Sequence, residues 1–398
     1  MTTALAILMS ASAVGCQVHP DAHAGTPTAA PALTTEFTCD EPTTWSAWID
    51  YTTRFVASDG RIIDRTDGDR STSEGQAYAL FHSLVANDRA RFEAILGWTE
   101  NNLAEGDLNQ TLPGWLWGKK DDGTWGVIDA NPAADADLWL AYTLLEASDL
   151  WDVARYRALG RSVLSQIVER EVVSVEGLGP VLIPAPYGFE LEDGRWRLNP
   201  SYTPVQITTA LAARGEAGPW KEVTQNTVAL IRRASRNGFV PDWVIVDESG
   251  KVLPDEISPA QSGYESIRVY LWWGLMDDKS PHKRAMRSAV SGPVKHWEKE
   301  GFVPEITRLK GPISHAGDAP PGFHHALLSA IENTNARESF LERYASKLLP
   351  GTPAQNAQLS YYDFNLILFG QGAEDGRYRF DSEGHLNTPW QSICEEKR

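Results

Sequence analysis

No CxxC pair, HExxH helix, Gly-Lys-Ser/Thr phosphate loop or GxSxG elbow occurs in the 398 residues of this chain. Without those signatures no cofactor and no metal site is expected. Basic clusters are missing as well. The formal charge of -17 comes with no Lys/Arg run large enough to offset it, which argues against a phosphate-backbone partner, so no nucleic acid is expected. Nor is the apolar run near the start long enough to span a bilayer. It extends from Ala4 to Gly15, ends in small residues before Cys16, and reads as the core and cleavage zone of an export signal over residues 1–15. Ala13-Val14-Gly15-Cys16 resembles a bacterial lipobox, with Ala13 in place of the usual Leu and no Lys or Arg ahead of the run. Lipidation of Cys16, and with it anchoring to a membrane, stays open. Residues 16–38, rich in Ala, Pro, Thr and His, read as a flexible tether. The expected location is exported, either periplasmic or secreted. Only two other cysteines exist, Cys39 and Cys394, which bracket a folded region of residues 39–398. In an oxidising compartment they can pair and tie its two ends together; two free thiols are the alternative.

What is present is a helical pattern over a large apolar fraction, 42% of the residues. Apolar residues at i, i+3, i+4 and i+7 recur in about twelve segments. They fall near 43–57, 73–87, 89–104, 135–149, 152–171, 203–214, 219–236, 263–277, 282–299, 322–334, 336–347 and 357–370. Connections leaving even-numbered helices are short, and most of those entering them are long: 105–134, 172–202, 237–262 and 300–321. The eighth and twelfth segments are apolar nearly all round, as buried helices are, whereas the fifth carries a charged face of Arg155, Arg157 and Arg161. Even helices inside and odd helices outside make six helical hairpins in an all-α (α/α)6 barrel. Its long loops then gather at one end, where they form a cleft.

Three acidic residues fall at the starts of even helices: Glu74, Asp135 and Glu265. Acidic residues at such positions ordinarily cap free N–H groups and meet the helix dipole, and for any one of the three that explanation suffices. Three gathered on one face beneath long loops are poorly explained by capping alone. Many of the 15 Trp lie in or near those loops, among them Trp115, Trp117, Trp125, Trp196 and Trp243. Core packing is the default for a Trp and is expected of Trp139 and Trp272, but it fits less well for Trp115 and Trp117 in a Pro/Gly loop. Carboxyls with an aromatic groove suit a chain of sugars. His324-His325 reads as packing or a substrate contact, and Asp64, Asp67 and Asp69 lack the spacing of a calcium loop.

Several motifs carry a resemblance. Thr72-Ser73-Glu74-Gly75-Gln76, Ala134-Asp135-Ala136-Asp137 and Gly263-Tyr264-Glu265-Ser266-Ile267-Arg268 resemble glycoside hydrolase family 8. Leu112 to Lys120, Asn199-Pro200-Ser201-Tyr202 and Leu368 to Gly372 are similar to its subgroup from bacterial cellulose-synthase operons. The resemblance implies endo-acting hydrolysis of β-1,4-glucosidic bonds with inversion, and as partners a β-1,4-glucan chain and the cellulose synthase complex. It implies Glu74 as general acid, Asp135 as the residue gripping the reacting sugar, and Glu265 as general base. Trp115, Trp117, Trp125, Tyr202, Tyr264, Arg268 and Tyr361 are expected to bind substrate. At the position of Glu265 the family carries Asp, and an extra methylene can crowd the attacking water, which needs carboxyls about 6.5–9.5 Å apart. The same fold acting on xylan or chitosan, or binding cellulose without cleaving it, are the alternatives.

Overall fold

The computed structural model describes residues 39, 41–348 and 359–397. The export signal, the tether and Cys16 lie outside the described residues. Fourteen helices are described: α1 (Ser46–Phe55), α2 (Ser73–Val85), α3 (Arg89–Leu103), α4 (Ala134–Trp151), α5 (Ala154–Arg170), α6 (Val205–Ala213), α7 (Trp220–Ala234), α8 (Ile267–Leu275), α9 (Pro281–Met286), α10 (Gly292–Glu300), α11 (Pro321–Leu328), α12 (Thr334–Leu348), α13 (Tyr361–Glu374) and α14 (Pro389–Lys397). Each of α2, α4, α6, α8, α11 and α13 touches the next, and α13 touches α2, so these six form a closed inner ring. Burial agrees with that placement. Helices α2 and α4 bury almost every side chain, while α5 buries only a stripe of Tyr156, Leu159, Val163, Leu164 and Ile167 and exposes Arg155, Arg157 and Arg161. This is the (α/α)6 barrel expected from the connection lengths.

Close helix approach depends on two glycines. A Cβ on Gly274 would lie 2.5 Å from the backbone carbon of Ser329, and one on Gly370 would lie 2.3 Å from the carbonyl oxygen of His325. No larger residue lets α8 and α13 pack against α11 at this distance. An aromatic cluster fills the ring. Phe369 meets Tyr78, Phe81, Trp139 and Trp272 with ring centroids between 5.0 and 5.4 Å, so Trp139 and Trp272 are core residues as expected.

The long connections contain short strands that helical periodicity does not reveal. β1 (Ser71–Thr72), β2 (Gly114–Lys119) and β3 (Trp125–Pro132) form one sheet; β4 (Val172–Val175) pairs with β5 (Gly179–Leu182); and β6 (Trp196–Leu198), β7 (Val244–Val246) and β8 (Val252–Pro254) form another. β9 (Gln261–Ser262) joins β10 (Pro304–Arg308) and β11 (Ser314–Asp318), and β12 (Arg379–Phe380) pairs with β13 (Leu386–Asn387). Except for β12 and β13, all precede inner helices, at the mouth end.

Several helix boundaries differ from those read from periodicity. The expected ninth helix is two, α9 and α10, because Gly292 packs on the Gly238 backbone and Pro293 has no N–H with which to continue a helix. Helix α8 begins at Ile267, four residues later than expected, because Gly263–Ser266 form a turn whose amides go to Asp242. The C-terminal helix α14 carries no long apolar period and was not expected.

Helix α14 closes the seam. Cys394 is bonded to Cys39 across 355 positions of sequence, their Cα atoms 5.6 Å apart, and Trp390 Nε1 donates to the Val85 carbonyl at 3.1 Å. Asn87 reinforces the same corner by donating to the carbonyls of Cys39 and Glu41. Cross-linking ends so far apart restricts the unfolded chain strongly. Replacing both cysteines by Ser should therefore lower the unfolding free energy by about 2–4 kcal/mol. Urea unfolding of the two proteins checks this, and coincident midpoints would contradict it.

Candidate active site

The carboxyl of Glu74 reaches the mouth because a neighbour caps its helix. Thr72 lies in β1, paired with Leu116 of β2, and its hydroxyl accepts from Gly75 N at 3.0 Å. Glu74 is thereby spared the capping role in the first turn of α2. Asp135 stands in the first turn of α4, whose Ala134 N–H is taken by the Pro184 carbonyl, and its Oδ1 accepts from Ala136 N at 2.9 Å. Glu265 sits in the turn before α8 rather than within the helix, which corrects the expectation that it begins the eighth helix. Asp242, which sequence reasoning missed, holds that turn by accepting from Gly263 N at 2.8 Å and Ser266 N at 2.9 Å.

One guanidinium joins the three acids. Arg268, 3% exposed on α8, donates from Nη1 to Glu74 and to Asp135, the latter at 2.9 Å, and from Nη2 to Glu265. Nη1 also reaches the Tyr78 hydroxyl at 3.3 Å, and the guanidinium lies 5.3 Å from the Tyr202 ring centre. A single cation cannot balance three anions, of which Asp135 is buried and Glu74 and Glu265 are partly exposed. Burial, above all, raises the Glu74 carboxyl above its ordinary range; Arg268 opposes the rise and Glu265 adds to it. Asp135 is pushed up to about 7 by burial and then by Glu74, against Arg268. Both shifts favour the protonated form of this pair.

A cleft of about 440 Å³ opens over these groups. Trp115, Tyr202, Tyr264, Arg268 and Tyr361 line it, as expected from sequence, and so do Tyr362, Asp64, Asp67 and Arg70. Trp117 and Trp125 do not line it. They stack on each other at 5.3 Å, with Trp117 also against Trp98 and Arg61 over its ring. Trp115 and Trp125 are nevertheless exposed, by 38% and 47%. Trp243 stacks on Phe189 beside Tyr202, and Tyr264 donates to Glu305 Oε1 at 2.6 Å. Tyr78 was findable, one helical turn from Glu74; Glu305 gave no sequence signal. His324 is buried in α11 with Nδ1 at 2.9 Å from the Pro320 carbonyl oxygen. Among the described residues no group of three His, Cys, Asp or Glu side chains is placed to hold a metal ion.

Several acids and aromatic side chains around one cleft suit acid–base cleavage of a glycosidic bond, and sequence comparison gives the same class. The chain belongs to the glycosyl hydrolases family 8, whose family model matches residues 27–376. It is a glycoside hydrolase. Among its relatives, an endoglucanase of Escherichia coli (strain K12) is 39% identical over 364 residues, covering 91% of this chain and 96% of the relative. An endoglucanase of Xanthomonas axonopodis pv. citri (strain 306) is 38% identical over 366 residues, covering 91% and 93%. The crystal structure of an endo-1,4-D-glucanase from Vibrio fischeri ES114 superposes with a TM-score of 0.81 at 35% identity, covering 87% of this chain and 99% of that one. More distant, at 23% identity and covering 80% and 86%, is a reducing end xylose-releasing exo-oligoxylanase of Bifidobacterium adolescentis.

Behind Asp135 lies a second acidic pair that sequence reasoning did not single out. Asp137, in the first turn of α4, and Glu171, just past α5, are both fully buried, and each carboxyl perturbs the titration of the other. Among the described residues no hydrogen-bond donor reaches any of their four carboxyl oxygens. Burial raises both carboxyls well above their ordinary values of 3.8 and 4.5. The folded protein then binds more protons than the unfolded chain between that ordinary range and the raised one, and stability falls as pH rises across this window. Asp137→Asn, whose amide supplies the missing donor, should flatten that slope. Urea unfolding from pH 4 to 8 measures it, and an unchanged slope would contradict the upward shift of this pair.

Proposed function

We propose that this hydrolase is an endo-acting glucanase that cleaves internal β-1,4-glucosidic bonds of cellulose with inversion. The observation that carries this reading is the set of three carboxyls on one guanidinium beneath an open aromatic cleft. Glu74, kept protonated by burial and by Glu265, donates to the leaving glycosidic oxygen. As that bond breaks, a water attacks the anomeric carbon from the opposite face and gives its proton to Glu265. Asp135, with Arg268, Tyr264 and Tyr361, grips the sugar at the cleavage point. An inverting reaction forms no covalent intermediate, so Asp135 is not a nucleophile. Exchange with solvent then restores the proton on Glu74 and removes it from Glu265.

Tyr202 and Trp115 flank the reacting sugar in this reading, and the exposed Trp125 with Trp117 offers a further stacking surface along the same ribbon. Glucan is favoured over xylan because the relatives of higher identity are endoglucanases. The protein works outside the cytoplasm on nascent glucan beside a cellulose synthase complex, a role supported by the Cys39–Cys394 disulfide and by the motifs shared with that subgroup. An intact acid, Asp135 and Arg268 around Glu265 favour catalysis over binding alone.

Viscosity loss and reducing-end release from carboxymethylcellulose, with xylan and chitosan in parallel, test the reading. The wild type should cut the cellulose derivative fastest and lower viscosity early. Glu74→Gln and Glu265→Gln should each reduce kcat by about 10²–10⁴-fold while cello-oligosaccharide binding persists. Wild-type turnover in either variant would remove that residue from the mechanism.

A further inference from the structure

A glutamate used as a base has one more rotatable bond than an aspartate and needs to be held still. Glu265, a third exposed along its side chain, is held at one oxygen only. Its Oε2 accepts from Arg268 Nη2 and from Asn199 Nδ2, the latter at 3.1 Å, and among the described residues no donor reaches Oε1. Asn199 is itself rigid. It is 5% exposed, follows β6 directly, and its Oδ1 accepts from both Ser201 N at 2.9 Å and Ser201 Oγ at 2.7 Å. Those two bonds fix the side-chain amide with its oxygen toward Ser201 and its NH₂ toward Glu265. Ser201 is tied in turn, because its carbonyl accepts from Trp272 Nε1 at 3.1 Å. Trp272 lies on α8, the helix that carries Arg268. Both donors to Oε2 are thus referenced to the same inner helix, one directly and one through the Asn199–Ser201 turn.

We infer that Asn199 is the positioning residue of the base, pinning Oε2 of Glu265 so that Oε1 alone faces the cleft and receives the proton of the attacking water. The inference rests on the reading of Glu265 as base. Arg268 alone cannot do this, since it is shared with Glu74 and Asp135 and leaves the carboxylate free to turn about one contact. With Asn199 in place the carboxylate has two anchors on one oxygen, and its plane is set.

Steady-state kinetics of the full chain on a soluble cello-oligosaccharide test the assignment, with Glu265→Gln as the reference. Asn199→Ala should lower kcat by about 100-fold with KM little changed, as displacement of a reacting group does. Asn199→Asp keeps the acceptor for Ser201, and so the turn, but sets a second carboxyl beside the base and favours the base's protonated form. It should move the acidic limb of the kcat profile to higher pH while the melting temperature stays near that of the wild type. If Glu265→Gln is inactive but Asn199→Ala keeps wild-type kcat, or raises KM alone, the positioning role is overturned and the base stands. An unmoved acidic limb in a folded Asn199→Asp protein overturns it as well, and covers the case in which Asn199→Ala fails to fold. Wild-type turnover in Glu265→Gln overturns the base itself and the inference with it.

Discussion

A single buried guanidinium, that of Arg268, is the group on which the mouth of this barrel depends. It draws together Glu74 from α2, Asp135 from α4 and Glu265 from the turn before α8, three acids that would otherwise repel one another. Removing one partner of such a buried network typically costs about 3–5 kcal/mol, because the charges left behind are uncompensated. The imbalance is also the source of the chemistry. One positive charge among three carboxyls favours retention of a proton in the site, which is what the proposed general acid needs.

The barrel supplies the geometry that a lone Arg cannot. Because six hairpins alternate inner and outer helices, every inner helix starts at the same end, and the ring closed by α13 against α2 fixes their spacing. Glycines at 274 and 370 allow the inner helices to approach, and the Phe369 cluster fills the space below the acids. Strands β1 and β2 then couple the helix start that bears Glu74 to the ribbon that bears Trp115. The proposed substrate contact and the proposed proton donor are thereby mounted on one hydrogen-bonded unit.

Much of this was legible in the sequence, for identifiable reasons. Long helices with a 3.6-residue period and unequal connections encode the hairpin barrel, and Glu74 and Asp135 at helix starts encode the mouth. What was hidden depends on tertiary contacts. Strands of two to eight residues are too short to show a period, so the loops looked featureless. Trp115 and Trp117 stand two residues apart and looked equivalent, yet Trp115 lines the cleft while Trp117 packs on Trp98, Trp125 and Arg61. The turn that delays α8 is held by Asp242, 21 residues before Gly263. Asp137 is in the motif that placed Asp135, but its partner Glu171 lies beyond a helix, and nothing local announces the pair.

The central claim is that water attacks from the Glu265 side while Glu74 protonates the leaving oxygen on the other. Proton NMR of the first products from a cello-oligosaccharide, recorded before the anomers equilibrate, reads this directly. The account predicts that the α-anomer of the newly formed reducing end appears first and decays toward equilibrium. Initial release of the β-anomer would show retention, require a covalent partner for the sugar, and contradict the roles given to Glu265 and Asp135.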